Sequence, residues 1–181
     1  MVVQRKLMTA EEFEAFTLLP ENVDRRLEFI DGEILELPSN PYSSEIASAF
    51  NFFIRGYAYP RQLGRVTGEN GGYIVAGSRM VTDIAFIRRD RQDQLARQGY
   101  NPIAPDLAVE VISPTDKAED LANKLKKYAE AAVLVWVVYP ETQTVVVHTP
   151  GKAKQTLGIE GILDGGDVLP GFTIAIREIF P

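Results

Sequence analysis

The sequence predicts an α/β (α+β) chain: one domain with a mixed central β-sheet flanked by helices. Three observations carry this. In "RRLEFIDGEILEL" the dipeptide Asp31-Gly32, suited to a tight turn, joins two apolar runs and predicts a hairpin. From Ser43 onward Ile46, Ala49, Phe50, Phe53, Ile54 and Tyr57 recur at helical spacing, so this helix packs one face on a sheet. In the second half, "LAVEVI" and "VLVWVVY" enclose a helix-length segment, a strand–helix–strand unit.

The elements follow in order. "TAEEFEAF" pairs Thr9 with Glu12 in a capping-box pattern that opens a short helix. After the hairpin and the Ser43 helix, "GRVTG", "GYIVAG" and "VTDIAFI" read as three short strands punctuated by glycine. "RRDRQDQLARQGYNP" has little apolar content and reads as a solvated loop or exposed helix. The strand "LAVEVI" is followed by a helix from Pro114 to about Ala132, with Ser113 as N-cap and Asp116 three residues on. "VLVWVVY" and "QTVVVHT" are strands joined by a turn around Glu141-Thr142, and "GDVLPGFTI" reads as short edge elements. Repeats, low-complexity segments and linkers are absent.

The chain has 181 residues, enough for one sizeable core and short for two, so residues 1–181 are expected to form a single domain. Its net charge of −6 argues against passive, sequence-independent coating of nucleic acid, though not against an enzyme with a local basic patch and a bound cation. The absence of cysteine excludes disulfides, thiolate nucleophiles and zinc–sulfur sites. "MVVQRKLMTAEEF" lacks the apolar core of a signal peptide and no run reaches membrane-spanning length, so the cytoplasm is the expected location and no membrane partner is expected.

Three carboxylates lie in or beside apolar, β-branched runs. Asp106 and Glu110 in "PDLAVEVISPTD" would be about 13 Å apart along a strand, too far to share an ion. Asp106 follows a proline at the strand start and reads as a turn or cap residue. Glu110 sits inside a strand apolar enough to be buried on both faces. A buried glutamate needs a partner, either an arginine at a sheet rim or a cation. Asp83 in "VTDIAFI" has the same character; if its strand pairs with that of Glu110, the two carboxylates meet at about 5 Å. With no cysteine and only His148, in an apolar strand, any bound ion would be a hard one on oxygen, Mg²⁺ or Mn²⁺.

The helix "SPTDKAEDLANKLKKYAEAA" has an apolar stripe of Ala118, Leu121, Ala122, Leu125, Ala129 and Ala132. Lys127 points away from it, and Lys124 falls on its flank beside Lys117 and Tyr128. Spacing leaves Lys124 two roles: a surface pair with Asp120 at i,i+4, or a stem laid along the sheet with its ammonium toward Glu110.

The ordered set "LEFIDGEI", "VTDIAFI", "PDLAVEVISPTD" and "NKLKKYAEAAVLVWVVYP" resembles the Uma family of bacterial endonucleases, from about Met8 to Phe180. The resemblance implies a restriction-endonuclease-like PD-(D/E)XK fold and a metal-dependent phosphodiesterase core. Asp83 and Glu110 match the two acidic, metal-holding positions. The usual lysine position two residues after Glu110 is Ile112. Lys124 matches the lysine that some members of the fold supply from the following helix. Glu28 matches a family glutamate that reaches the same site. Thr82 stands where the family usually has proline, and "NPYSSEIAS" lacks a histidine that many relatives carry there.

On this reading the catalytic residues are Asp83, Glu110, Lys124 and Glu28, the metal is Mg²⁺ or Mn²⁺ on Asp83 and Glu110, and the substrate is DNA. A homodimer is expected by analogy, since two strands need two sites about a two-fold axis. Arg55, Arg61, Arg65, Arg88, Arg89 and Arg91 are candidate phosphate contacts. Two other readings stand beside it: a nuclease fold kept for interaction or assembly, and a hydrolase of small phosphoesters.

Overall fold

The computed structural model describes residues 8–22, 25–36 and 40–181; residues 1–7, on which the reading of a missing leader rests in part, lie outside them. Helix α1 (Ala10–Thr17) opens with the expected capping box: the Thr9 side chain accepts from the Glu12 amide, and the Glu12 carboxylate from the Thr9 amide. Strands β1 (Leu27–Ile30) and β2 (Glu33–Glu36) form the hairpin around Asp31-Gly32. Both turn residues have positive φ, 49° and 93°, the geometry this dipeptide adopts most readily. Helix α2 (Pro41–Ala58) starts with Pro41 in its first turn and is capped by Asn40, whose side chain accepts from the Ser43 amide.

Next come β3 (Gly64–Thr67), β4 (Gly71–Val75), β5 (Ser78–Thr82) and β6 (Ile84–Arg88). "VTDIAFI" is therefore two strands rather than one. Val81 and Thr82 pair with β4 in a four-stranded sheet of order β2-β1-β5-β4, and from Ala85 the chain pairs with β3. Asp83 is the residue at which the backbone changes sheets.

The larger sheet has the order β10-β9-β8-β7-β6-β3, with β7 (Leu107–Val111), β8 (Leu134–Tyr139), β9 (Thr144–His148) and β10 (Gln155–Leu157). Strands β7 and β8 are parallel and the neighbouring pairs antiparallel, so the sheet is mixed as expected. Helix α3 makes the crossover between β7 and β8, and it spans Ala118–Glu130, starting four residues later than predicted. The Asp116 carboxylate accepts the Ser113 amide at 2.7 Å, which closes a turn ahead of the helix; Lys117, extended, takes the N-cap position without a side-chain bond.

Both faces of the large sheet are covered. Leu107, Val109 and Val111 of β7 face a core with Phe50, Trp136 and Phe172, while Ala108 faces a second core with Tyr73, Met80 and Tyr128. The tail forms a separate two-stranded sheet, β11 (Ile162–Asp164) with β12 (Thr173–Ala175). It is more than an edge: Leu163, Phe172, Ile174 and Ile176 are buried in the first core. The segment 89–106 is irregular apart from turns and a bridge from Asn101 to Tyr73. No helix among the described residues is long and apolar enough to cross a membrane.

Candidate active site

The register of β6 against β7 runs Phe86↔Leu107, Ala85↔Ala108, Ile84↔Val109. One further step sets Asp83 opposite Glu110, on the face that Ala85 and Ala108 share. The local cause is the sheet change: Asp83 has left the β5 ladder, and its Oδ2 accepts the Val111 amide at 2.7 Å. Asp83 and Glu110 therefore stand opposite each other on neighbouring segments, near enough for the Asp83 charge to act on Glu110.

Lys124 completes the group. Its ammonium lies 2.7 Å from Glu110 Oε2 and 3.0 Å from Glu28 Oε1, and donates to the Val81 carbonyl at 3.3 Å. Of the two roles left open by spacing it takes the second, toward Glu110, and does not pair with Asp120, though it lies at the centre of the buried face and not on its flank. The buried face of α3 centres on Lys124 and Tyr128, while Ala118, Ala122 and Ala129 are exposed. The polar floor of the cleft draws the lysine inward, overriding the alanine stripe. Lys127, expected to point away, pairs instead with Asp31 in the hairpin turn at 2.6 Å.

Glu28 is fully buried; its Oε1 accepts the Val81 amide at 2.8 Å, and its Oε2 has no hydrogen-bond partner. Two neighbours were not anticipated. Tyr128, one helical turn after Lys124, donates its hydroxyl to Glu110 Oε1. Arg26, two residues before Glu28, places Nη2 3.7 Å from Asp83 Oδ1 and donates to the Glu69 carbonyl at 2.9 Å. The available signal was spacing: i,i+4 on a helix and i,i+2 along an extended chain place each beside a residue already singled out.

Asp83, Glu110, Lys124, Glu28 and Arg26 line a cleft of about 660 Å³ together with Ser113, Thr115, Asp116, Lys117 and Asp120; Tyr128 lies behind Glu110, outside the lining. Burial pushes the Asp83 carboxyl up, against the Val111 amide and the nearby Lys124 and Arg26 cations. Burial likewise raises Glu110 to about 7, with Lys124 opposing and Asp83 and Glu28 adding to the rise. At Lys124 burial works against the ammonium, but the Glu110 and Glu28 carboxylates outweigh it and push its pKa up. Burial and Glu110 hold the Tyr128 hydroxyl well above its usual range.

A family model described as "Putative restriction endonuclease" matches residues 10–177. The chain belongs to this family, Uma2. As a Uma2 chain it has the restriction-endonuclease-like fold that the resemblance implied. A solved structure described as "a putative nuclease belonging to DUF820", from Anabaena variabilis, superposes with a TM-score of 0.82 at 22% identity, covering 96% of this chain and 97% of that one. No curated protein sequence matches.

Other residues of this Uma2 chain fall outside the cleft. Asp106 accepts the Arg88 amide at 2.8 Å and pairs with Arg91 at 3.0 Å, at the opposite end of β7. His148 ends β9, its pKa lowered by burial and by Lys154. The six arginines do not gather at the site. Arg65 and Arg89 pair with Asp93, Arg88 and Arg91 with Asp106, and Arg61 covers the Tyr57 ring. Arg55 alone of the six lies on a groove that reaches Asp83.

Proposed function

We propose that this protein is a divalent-cation-dependent endonuclease that hydrolyses phosphodiester bonds, with DNA as the first candidate substrate. The observation that carries the reading is the opposed pair Asp83 and Glu110 in an open cleft, with the Lys124 ammonium beside them.

The residues fit a hard cation. Among the described residues the ion-pair partner of Asp83 Oδ1 is Arg26, at 3.7 Å, and each Glu110 oxygen keeps a lone pair beyond the donor it already accepts. Both carboxyls are raised by burial, so the resident cations do not offset their desolvation and a further positive charge would be stabilised there. Among the described residues no group of three or more His, Asp or Glu side chains stands at ligand spacing. Two carboxylates with substrate oxygens and water are a usual way to hold Mg²⁺. Held by Asp83 and Glu110, such an ion would supply Lewis-acid polarisation of a phosphoryl oxygen.

The Glu110 and Glu28 carboxylates favour the charged form of Lys124, which places a cation beside the two acids. Its position next to Glu110 lets it offset negative charge developing on the phosphoryl group. Glu28 and Tyr128 are positioning residues: Glu28 anchors the ammonium, and Tyr128 fixes the Glu110 carboxylate from its other oxygen. Cutting both strands of a duplex would call for a homodimer.

One observation favours a fold retained for interaction alone: both Glu110 oxygens already receive protein donors. Calorimetric titration of Mg²⁺ and Mn²⁺ into wild type and Asp83→Ala, with plasmid nicking in parallel, separates the readings. Binding and nicking in the wild type that both vanish in the variant are expected. A wild type that binds no cation, with or without DNA, would leave the interaction reading.

A further inference from the structure

Helix α2 turns two stripes to two environments. Ile46, Ala47, Phe50, Ile54 and Ala58 are buried against the sheet. On another side Ser48, Asn51, Phe52 and Arg55, with the Gly68–Asn70 turn between β3 and β4, line a groove of about 520 Å³. This groove shares Ser44, Glu69 and Asp83 with the catalytic cleft. The site is therefore a trough that continues past Asp83 on the α2 side, which suits a chain running through it better than a small phosphoester.

The chemistry of the α2 side is specific. Phe52 is 72% exposed, with its neighbour Phe53 packed edge-on at 5.3 Å. Arg55 lies 4.1 Å over the Tyr59 ring, and among the described residues no carboxylate pairs with it. A guanidinium laid on a ring keeps its N–H edges free for phosphate. In a chain of net charge −6, the α2 stripe presents an arginine, an open aromatic ring and neutral hydrogen-bonding side chains, with no acid of its own. An exposed ring beside a phosphate contact is the arrangement on which unpaired bases stack; in a duplex those base faces are already covered.

We propose that this groove binds single-stranded nucleic acid, with an unpaired base stacked on Phe52 and its flanking phosphate on Arg55, next to the phosphate presented to Asp83 and Glu110. The inference rests on the phosphodiesterase reading of the carboxylate site. It makes the preferred substrate a single strand, or a splayed or flapped end.

The test is fluorescence anisotropy of labelled 20-mers, single-stranded DNA, single-stranded RNA and fully paired DNA, with calcium in place of magnesium. Wild type, Phe52→Ala, Phe52→Trp and Arg55→Ala are compared, and cleavage of the same strands in magnesium is measured separately. A single strand is expected to bind about tenfold more tightly than the duplex, and Phe52→Ala to lose about fivefold or more of that affinity. Phe52→Trp keeps it, since a larger ring stacks as well. Arg55→Ala weakens binding and lowers the slope of log affinity against log salt by about 1. Phe52 is exposed, so its variants should fold, which a thermal melt verifies. Equal affinity for duplex and single strand, or a Phe52→Ala variant that binds like wild type, overturns the proposal. If the strands are still cleaved in that case, the phosphodiesterase reading survives alone. A wild type that neither binds nor cleaves any of the strands overturns both.

Discussion

The ammonium of Lys124 stands 2.7 Å from Glu110 Oε2, joining α3 to β7 through an ion pair at the floor of the cleft. Both side chains are almost wholly out of solvent. Such a pair is costly to assemble but costlier to break from one side, because the remaining charge has no water to turn to.

Lys124→Met should therefore destabilise the fold by about 3–5 kcal/mol in urea unfolding, since Glu110 and Glu28 are left buried without the ammonium they share. Adding Glu110→Gln should restore much of the loss by removing one of the stranded carboxyls. A single variant as stable as wild type would mean that the ammonium is not holding these carboxylates.

Asp83→Asn separates structure from chemistry. An asparagine oxygen can still accept the Val111 amide, so the unfolding free energy should stay within ~1 kcal/mol of wild type. Cation binding by calorimetry should disappear, and nicking should fall by about a hundredfold or more.

The raised Glu110 pKa has a consequence for cation-free protein. Its folded value, about 7, lies above the ordinary 4.5, so the folded state holds this proton more tightly than the unfolded chain. The stability linked to it is fully present below pH 4.5 and is lost as pH rises through about 7. Between pH 5 and pH 8 the unfolding free energy of wild type relative to Glu110→Gln should fall by on the order of 3 kcal/mol. A difference that rises with pH over that window would show that Lys124 dominates the site and holds Glu110 ionised.

Asp106 offers the contrast. Asp106→Ala removes the acceptor for the Arg88 amide and the partner of Arg91, and should cost about 1–3 kcal/mol of stability. Its cleavage rate and cation affinity should match wild type once the protein is folded. A selective loss of nicking would place Asp106 in the site after all.

Much of the local structure was legible in the chain. Thr9 with Glu12, and Asp31 with Gly32, specify a cap and a turn through contacts within four residues, so no distant partner can change them. The late start of α3 was not legible. The Asp116 carboxylate does accept the Ser113 amide as a capping box requires, but the Ser113 hydroxyl pairs with the Thr115 hydroxyl instead of a backbone amide, and the helix starts only at Ala118. The alanine stripe misplaced Lys124 for another reason: helical periodicity ranks residues by hydrophobicity, and a buried carboxylate on a facing strand outranks alanine as a partner for one particular lysine.

By itself, then, the sequence determined which carboxylates were anomalous. An acidic residue within an apolar, β-branched run must lose water when that run is buried, and this cost belongs to the segment. Which groups answer that cost was decided by the tertiary structure. The change of sheets at Asp83, the antiparallel register of β6 on β7 and the crossover of α3 brought Asp83, Glu110, Lys124, Glu28 and Arg26 into one cleft, with Tyr128 bonded to Glu110 behind it. Register and crossover are set by the packing of two whole cores, and no single segment carries that information.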